Sequence, residues 1–217
     1  MEIKGIIFDL DGTLLDSMWY WDNIGEEFLA EYGKTPLPDF RDKYYVYSTY
    51  NTAKMIIEDY GLTDQTPESI IEEMLGMAER FYRGRVTVKP RAVELLDRLK
   101  EKGVRMAVAT ATERDLVDIG LKRCGIAGYF DTVVTCTDVG ASKTQPDVYL
   151  AALETLGTPI SETAVFEDAI QAARTAKSAG FYTVGVYDGT AAANEREMRA
   201  LCDEYVTDFS QLSDLFF

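Results

Sequence analysis

The chain has 217 residues, enough for one large domain or a domain with a smaller companion, and its apolar (47%) and charged (27%) fractions exclude wholesale disorder. Lys and Arg number 22 against 37 Asp and Glu, a net charge of −15 that argues against nucleic acid or an anionic membrane surface as partner. Zero histidines eliminate Ser–His–Asp triads, Cys–His dyads, phosphohistidine enzymes and His-ligated zinc or iron. Chemistry is left to carboxylates, Lys or Arg, hydroxyls, or a metal held by oxygen.

Residues 1–5 have no signal-peptide architecture, and no window approaches the ~18 apolar residues of a membrane span. Cys124, Cys136 and Cys202 are odd in number and lack a C-x-x-C spacing, so no disulfide framework or structural zinc site is expected and the expected location is the cytoplasm. Residues 3–9 form an apolar run that ends abruptly in acids and a glycine, the pattern of a strand covered on both faces. Residues 17–85 then carry helical patterns, roughly 17–32, 49–60 and 67–83, with no convincing buried strand.

From residue 90 the alternation is regular. A helix with Leu95, Leu96 and Leu99 stops at Gly103, strand 104–109 follows, then helix 113–124, strand 132–136 and a helix 146–156 that starts on Pro146. Strand 163–166, helix 169–179 and strand 182–187 complete the series. Such alternation implies a doubly wound parallel α/β sheet. The expected organisation is a Rossmann-like core, residues 1–16 and 87–217, with a small helical cap, residues 17–86, inserted after strand 1. A lid hung on that loop belongs at the sheet's carboxyl edge, where open α/β folds bind ligands, and it is expected to open for substrate and close to exclude water.

The strongest local signal is Asp9-Leu10-Asp11-Gly12-Thr13. Two acids two residues apart leave a strand end toward one side, Gly12 permits a tight turn and close backbone approach, and Thr13 adds a hydroxyl and an N–H. An Asp at the tip of so apolar a strand needs a cation or a proton beside it. Thr110, followed by Ala111 and Thr112, closes the second core strand just before a helix, a ready anion site; taken alone such threonines are more often helix N-caps, and Thr110 is favoured as the ligand because it lies closer to the strand. Lys143 lies on the loop after the third core strand, and Glu167-Asp168 end the fourth. Of this last pair Asp168 is favoured as a metal ligand, with Glu167 binding directly or through water. Oxygen-only ligands point to a hard ion, most plausibly Mg²⁺, with a phosphorylated substrate supplying a further oxygen.

These motifs, in this order, closely resemble the haloacid dehalogenase-like superfamily along the whole chain. Asp9-Leu10-Asp11-Gly12-Thr13 is similar to its first motif, Thr110 to its second, Lys143 to its third and Glu167-Asp168 to its fourth. The helical insertion, Lys143-x-x-Pro146-Asp147 and Glu167-Asp168…Ala179-Gly180 resemble the branch of β-phosphoglucomutase and phosphoglycolate phosphatases. Ala169 and Ala172 depart from the usual Ser and Gly, and Arg91 from the usual Gly after Pro90. The resemblance implies Mg²⁺-dependent phosphoryl transfer. Asp9 attacks phosphorus, giving an aspartyl phosphate; Asp11, offering the metal its backbone carbonyl, serves as acid and base. Lys143, Thr110 and the N–H groups of Gly12, Thr13 and Ala111 offset phosphate charge, and Asp9, Asp11, Asp168 and Glu167 form the metal set.

The expected activity is hydrolysis of a small phosphorylated metabolite by a monomer or weak homodimer, since dehalogenases and phosphonatases lack the second acid. The alternative is a sugar-phosphate mutase, which calls for cap cations; Arg41, Lys43 and Lys54 are available but read as solvated. A more distant alternative is a receiver-like phospho-acceptor module, which would need only about half this length. Trp19, Tyr20, Trp21, Tyr44, Tyr45, Tyr47 and Tyr50 make the insertion aromatic, and packing is the expected role of such side chains, although one or more could border the substrate.

Overall fold

The structure, a computed structural model, describes residues 2–38, 40 and 49–216. The chain divides into two units, residues 1–18 with 86–217 and residues 19–85.

In the first unit six strands form one parallel sheet: β1 (Gly5–Phe8), β2 (Arg105–Thr110), β3 (Thr132–Thr135), β4 (Thr163–Glu167), β5 (Tyr182–Val186) and β6 (Glu204–Val206), in the order β3-β2-β1-β4-β5-β6. β1 is central, with Phe8 level with Val108 on one side and Phe166 on the other. The winding reverses about β1, so the crevice at its carboxyl end is the switch point of the sheet. Near-continuous Val, Ile, Ala and Phe in β1, β2 and β4 suit strands covered on both faces, and the side chains of β1 are fully buried. Ile7, Ala107, Ala109 and Val165 pack with Val148, Tyr149 and Ala152 of the helix Asp147–Leu156. Phe8 and Phe166 point the other way along the pleat and place their rings 4.8 Å apart, with Phe166 also meeting Phe216.

Helices follow the strands much as the apolar periodicity suggests. Pro146 is the N-cap of Asp147–Leu156 rather than its first helical residue, and β6, which the sequence reading omitted, adds an edge strand. Three residues beginning at Glu204 are too short and too polar to register as an apolar run. The two segments joining the units run antiparallel for a few residues within the first unit. Asp16 N–H donates to Thr87 O (2.9 Å) and Lys89 N–H to Leu14 O (2.8 Å), with Leu15 bridged to Val88.

The second unit is helical: α1 (Met18–Trp21, beginning one residue before it), α2 (Ile24–Glu31), α3 (Thr49–Tyr60) and α4 (Pro67–Gly84). The single helix expected over 17–32 is broken because Asn23 turns the chain: its amide donates to Trp19 O (2.6 Å) and its N–H to Tyr20 O (3.0 Å). The α4 start carries a reciprocal Thr66–Ser69 capping box and Pro67 in the first turn. Several of the aromatic residues pack: Tyr20 stacks on Phe81 at 4.0 Å, Trp21 donates to Tyr82 Oη (3.1 Å), and the Arg85 guanidinium lies over Trp19, Tyr20 and Phe81. Tyr50 and Lys54 are exposed. Arg41, Lys43, Tyr44, Tyr45 and Tyr47 lie outside the described residues.

Candidate active site

Asp9 follows β1 directly and its N–H extends the ladder by one bond, to Phe166 O (2.9 Å). The next residues close on themselves: Leu10 O accepts from Leu14 and Leu15 N–H, and Gly12 N–H donates to Leu15 O. Gly12 holds φ +86°, and a Cβ there would overlap the Asp168 carboxylate (2.7 Å from its Cγ) and Met18. Only glycine lets the first loop and the β4 acids approach so closely. The N–H of Gly12 is therefore engaged within the loop, and the residue's contribution is space.

Parallel register carries Glu167 and Asp168 to the same edge. Asp9, Glu167 and Asp168 are all buried and offer carboxylate oxygens within 4.8 Å of one another. Lys143 reaches in from the loop before the helix Asp147–Leu156, donating to Asp9 Oδ1 and to Glu167 Oε1 (2.6 Å). Tyr149, in the first turn of that helix, donates to the same Glu167 oxygen (2.7 Å). The other oxygen, Oε2, is buried with no hydrogen-bond partner among the described residues, as is the Thr13 hydroxyl.

Burial pushes the Glu167 carboxyl up to about 7, with Lys143 opposing and Asp9 reinforcing the shift. Burial, then the charges of Asp9 and Glu167, raise Asp168 well above the carboxylate range. For Lys143, burial works against the ammonium, but Asp9 and Glu167 outweigh it and hold it charged. Three carboxylates and one ammonium, if all ionised, leave two negative charges in a dry site, a cost that one divalent cation would offset. The all-oxygen donor set and the orphaned Glu167 oxygen fit a hard ion held by Asp9, Glu167 and Asp168.

Asp11 turns away from that cluster. Its Oδ1 accepts from Ser17 (2.5 Å) and its Oδ2 from Thr112 (2.7 Å), so a hydroxyl holds each carboxylate oxygen. Thr110, buried at the end of β2, accepts from Thr112 N–H (3.1 Å), while Ala111 is exposed. The helix Arg114–Arg123 takes Glu113 as its N-cap, so neither threonine caps it. Sequence reasoning weighed Thr112 only as a helix cap or as the alternative to Thr110, not as a partner of Asp11, and it assigned no part to Ser17, Tyr149 or the buried pair Lys89–Asp188 (2.8 Å). Asp188 also follows an apolar strand, β5, and the rule that found Glu167-Asp168 would have found it. Burial opposes its charge, yet Lys89 and Thr190 hold it below the usual carboxylate range.

A parallel sheet whose carboxyl edge gathers buried acids, a lysine and hydroxyls is the arrangement of a phosphoric monoester hydrolase, and known proteins agree. The pattern of the haloacid dehalogenase-like hydrolases matches residues 6–186. Pyrophosphatase PpaX of Bacillus velezensis is 30% identical over 196 residues, 85% of this chain and 83% of that protein. Protein CbbY of Rhodobacter capsulatus is 31% identical over 206 residues, 85% of each chain. The crystal structure of CbbY from Rhodobacter sphaeroides in complex with phosphate shares the fold, with a TM-score of 0.76 at 23% identity over 97% of this chain and 96% of that one. The chain belongs to the haloacid dehalogenase-like hydrolase family. Among the described residues no helix is long and apolar enough to cross a membrane.

Proposed function

We propose that this hydrolase is a Mg²⁺-dependent phosphatase that cleaves a small phosphorylated metabolite through an aspartyl phosphate on Asp9. The observation that carries the reading is the buried cluster of Asp9, Glu167 and Asp168, with Lys143 donating to two of the three. Similarity to a protein named pyrophosphatase and to one solved with phosphate supports the substrate class.

Asp9 stands at the strand tip, where an attacking carboxylate needs to be rigid. Its oxygen bonds to phosphorus as the bond from phosphorus to the ester oxygen breaks. Asp11, acting first as the acid, gives a proton to the departing oxygen; the resulting carboxylate then takes one from the water that attacks the phosphoenzyme and releases inorganic phosphate. Ser17 and Thr112 set the direction of that carboxyl group; when it is protonated, one of the two hydroxyls rotates from donor to acceptor. Lys143 offsets charge on the transferring group, and Thr110 and Thr13 lie buried at the same edge with hydroxyls to offer. A Mg²⁺ held by Asp9, Glu167, Asp168 and the Asp11 carbonyl would neutralise phosphate charge and orient the ester for in-line attack. With its three described cysteines free as thiols, we assign the protein to the cytoplasm.

The test is phosphate release from a panel of phosphorylated metabolites with Mg²⁺. Asp9→Asn loses at least ~10³-fold in kcat, on the scale seen when a nucleophile is removed. Wild-type turnover by that variant would overturn the assignment. With β-glucose 1-phosphate and catalytic bisphosphate, free phosphate is the expected product, and glucose 6-phosphate would identify a mutase instead.

A further inference from the structure

We propose that Tyr149 is a positioning residue that commits Glu167 to hold the metal through Oε2 alone. The inference rests on the metal site proposed above and concerns how this chain shapes it.

A carboxylate oxygen has two lone pairs in its plane, and Glu167 Oε1 receives two donors, Lys143 Nζ at 2.6 Å and Tyr149 Oη at 2.7 Å. No lone pair remains on that oxygen for a cation. Oε2, equally buried, has no partner among the described residues. One oxygen is therefore saturated and the other held in reserve, which excludes a two-oxygen grip. Lys143 cannot impose this by itself, because its ammonium is shared with Asp9 and is needed there by the phosphate. Among the described residues the phenol hydroxyl has no second hydrogen-bond partner to serve. It is fully buried, and its ring is fixed against Phe181 at 6.3 Å within the apolar cluster under the sheet. The phenol donates in that bond, and with a metal bound Glu167 would be ionised and able only to accept, which fixes the direction.

Single-oxygen binding by Glu167 favours Mg²⁺, which takes six ligands in tight octahedral geometry, over Ca²⁺, which takes up to eight and accepts bidentate carboxylates. Tyr149 thereby becomes a determinant of metal choice. A tyrosine that merely satisfied its own hydroxyl would leave that choice untouched.

The experiment is calorimetric titration of Mg²⁺, and separately Ca²⁺, into chelator-stripped wild type and Tyr149→Phe. Steady-state kinetics with p-nitrophenyl phosphate and thermal unfolding in EDTA run alongside. Phe keeps the ring that packs on Phe181, so the variant folds, and its Tm in EDTA stays within about 5 °C of wild type. The expected result is Mg²⁺ affinity ~10-fold or more weaker, the usual cost of losing a partner behind a metal ligand, with the ratio of Mg²⁺ to Ca²⁺ affinity shifted toward Ca²⁺. KM for the ester at saturating Mg²⁺ changes less than about 2-fold, as expected when only metal binding is touched. Unchanged Mg²⁺ affinity, or an unchanged ratio, overturns the proposal while leaving the phosphatase reading intact. A wild type that binds no Mg²⁺ overturns both.

Discussion

The two edges of one sheet carry charge in opposite ways. At the amino edge, Lys4 pairs with Glu162 (2.8 Å) and Arg105 with Asp131 (2.7 Å) through partly exposed side chains, beside a cavity of about 540 Å³ floored by Ile3, Leu156 and Phe216. At the carboxyl edge, Asp9, Glu167, Asp168 and Lys143 are withdrawn from water, and the acids outnumber the cation. Exposed pairs cost little to form and contribute little. A buried cluster with excess negative charge costs stability, and the apolar strands between the edges must carry it. The sheet is thus built to hold repelling acids where it gains nothing from them until a cation arrives.

The largest effect that would test this contrast comes from Gly12→Ala. The added methyl meets the Asp168 carboxylate and forces an L-residue to φ +86°, a backbone cost of about 1–2 kcal/mol before the clash is counted. Displacing an acid of the site by as little as ~1 Å lowers kcat/KM on the order of 100-fold. Steady-state kinetics and chemical denaturation measure the two losses, and an unimpaired variant would show that β1 and β4 do not need this approach.

A second measurement uses pH. Glu167 is raised from 4.5 to about 7 in the folded protein, so folding without metal favours its protonated form. Its contribution is fully present below the unfolded value and is lost as pH rises through about 7. In the proposed site Mg²⁺ would replace that proton, so the rise in Tm on adding Mg²⁺ is expected to be larger at about pH 8 than at about pH 5.5. At ~100 times its dissociation constant the ion adds about 2.7 kcal/mol. Equal gains at both pH values would remove the excess negative charge from the account.

Two smaller effects sharpen the contrast. Arg91, before the helix Ala92–Glu101, is the only described non-glycine residue with positive φ (64°), and its side chain makes solvent-accessible pairs with Glu94 (3.0 Å) and, more loosely, Asp208 (3.9 Å). Arg91→Gly relieves about 1 kcal/mol of left-handed strain and gives back about half of it to unfolded-chain entropy, leaving a Tm gain of about 1–2 °C. Lys4→Ala at the amino edge leaves kcat unchanged and moves Tm by less than about 2 °C, as expected for an exposed pair. A larger loss there would mean that surface pairs, too, support the sheet.

Much of this was legible before any coordinates. Apolar runs ending in Asp9, Thr110 and Glu167-Asp168 announced both the parallel strands and the edge where the buried acids and hydroxyls gather, because a buried strand must stay apolar until it leaves the core. Asn23 broke a helix that periodicity alone had drawn unbroken, and β6 was too short and polar to leave a pattern.

What the sequence determined by itself is the kind of atom at each strand end: carboxylates, hydroxyls and one lysine, with histidine nowhere. Only the tertiary structure decided who holds whom. Thr112 holds Asp11 from 101 residues away, and Tyr149 claims one oxygen of Glu167 and leaves the other. Apolar periodicity reports which face of an element is buried, whereas a hydrogen bond between distant side chains depends on register and rotamer, and these take their values only when the strands are paired.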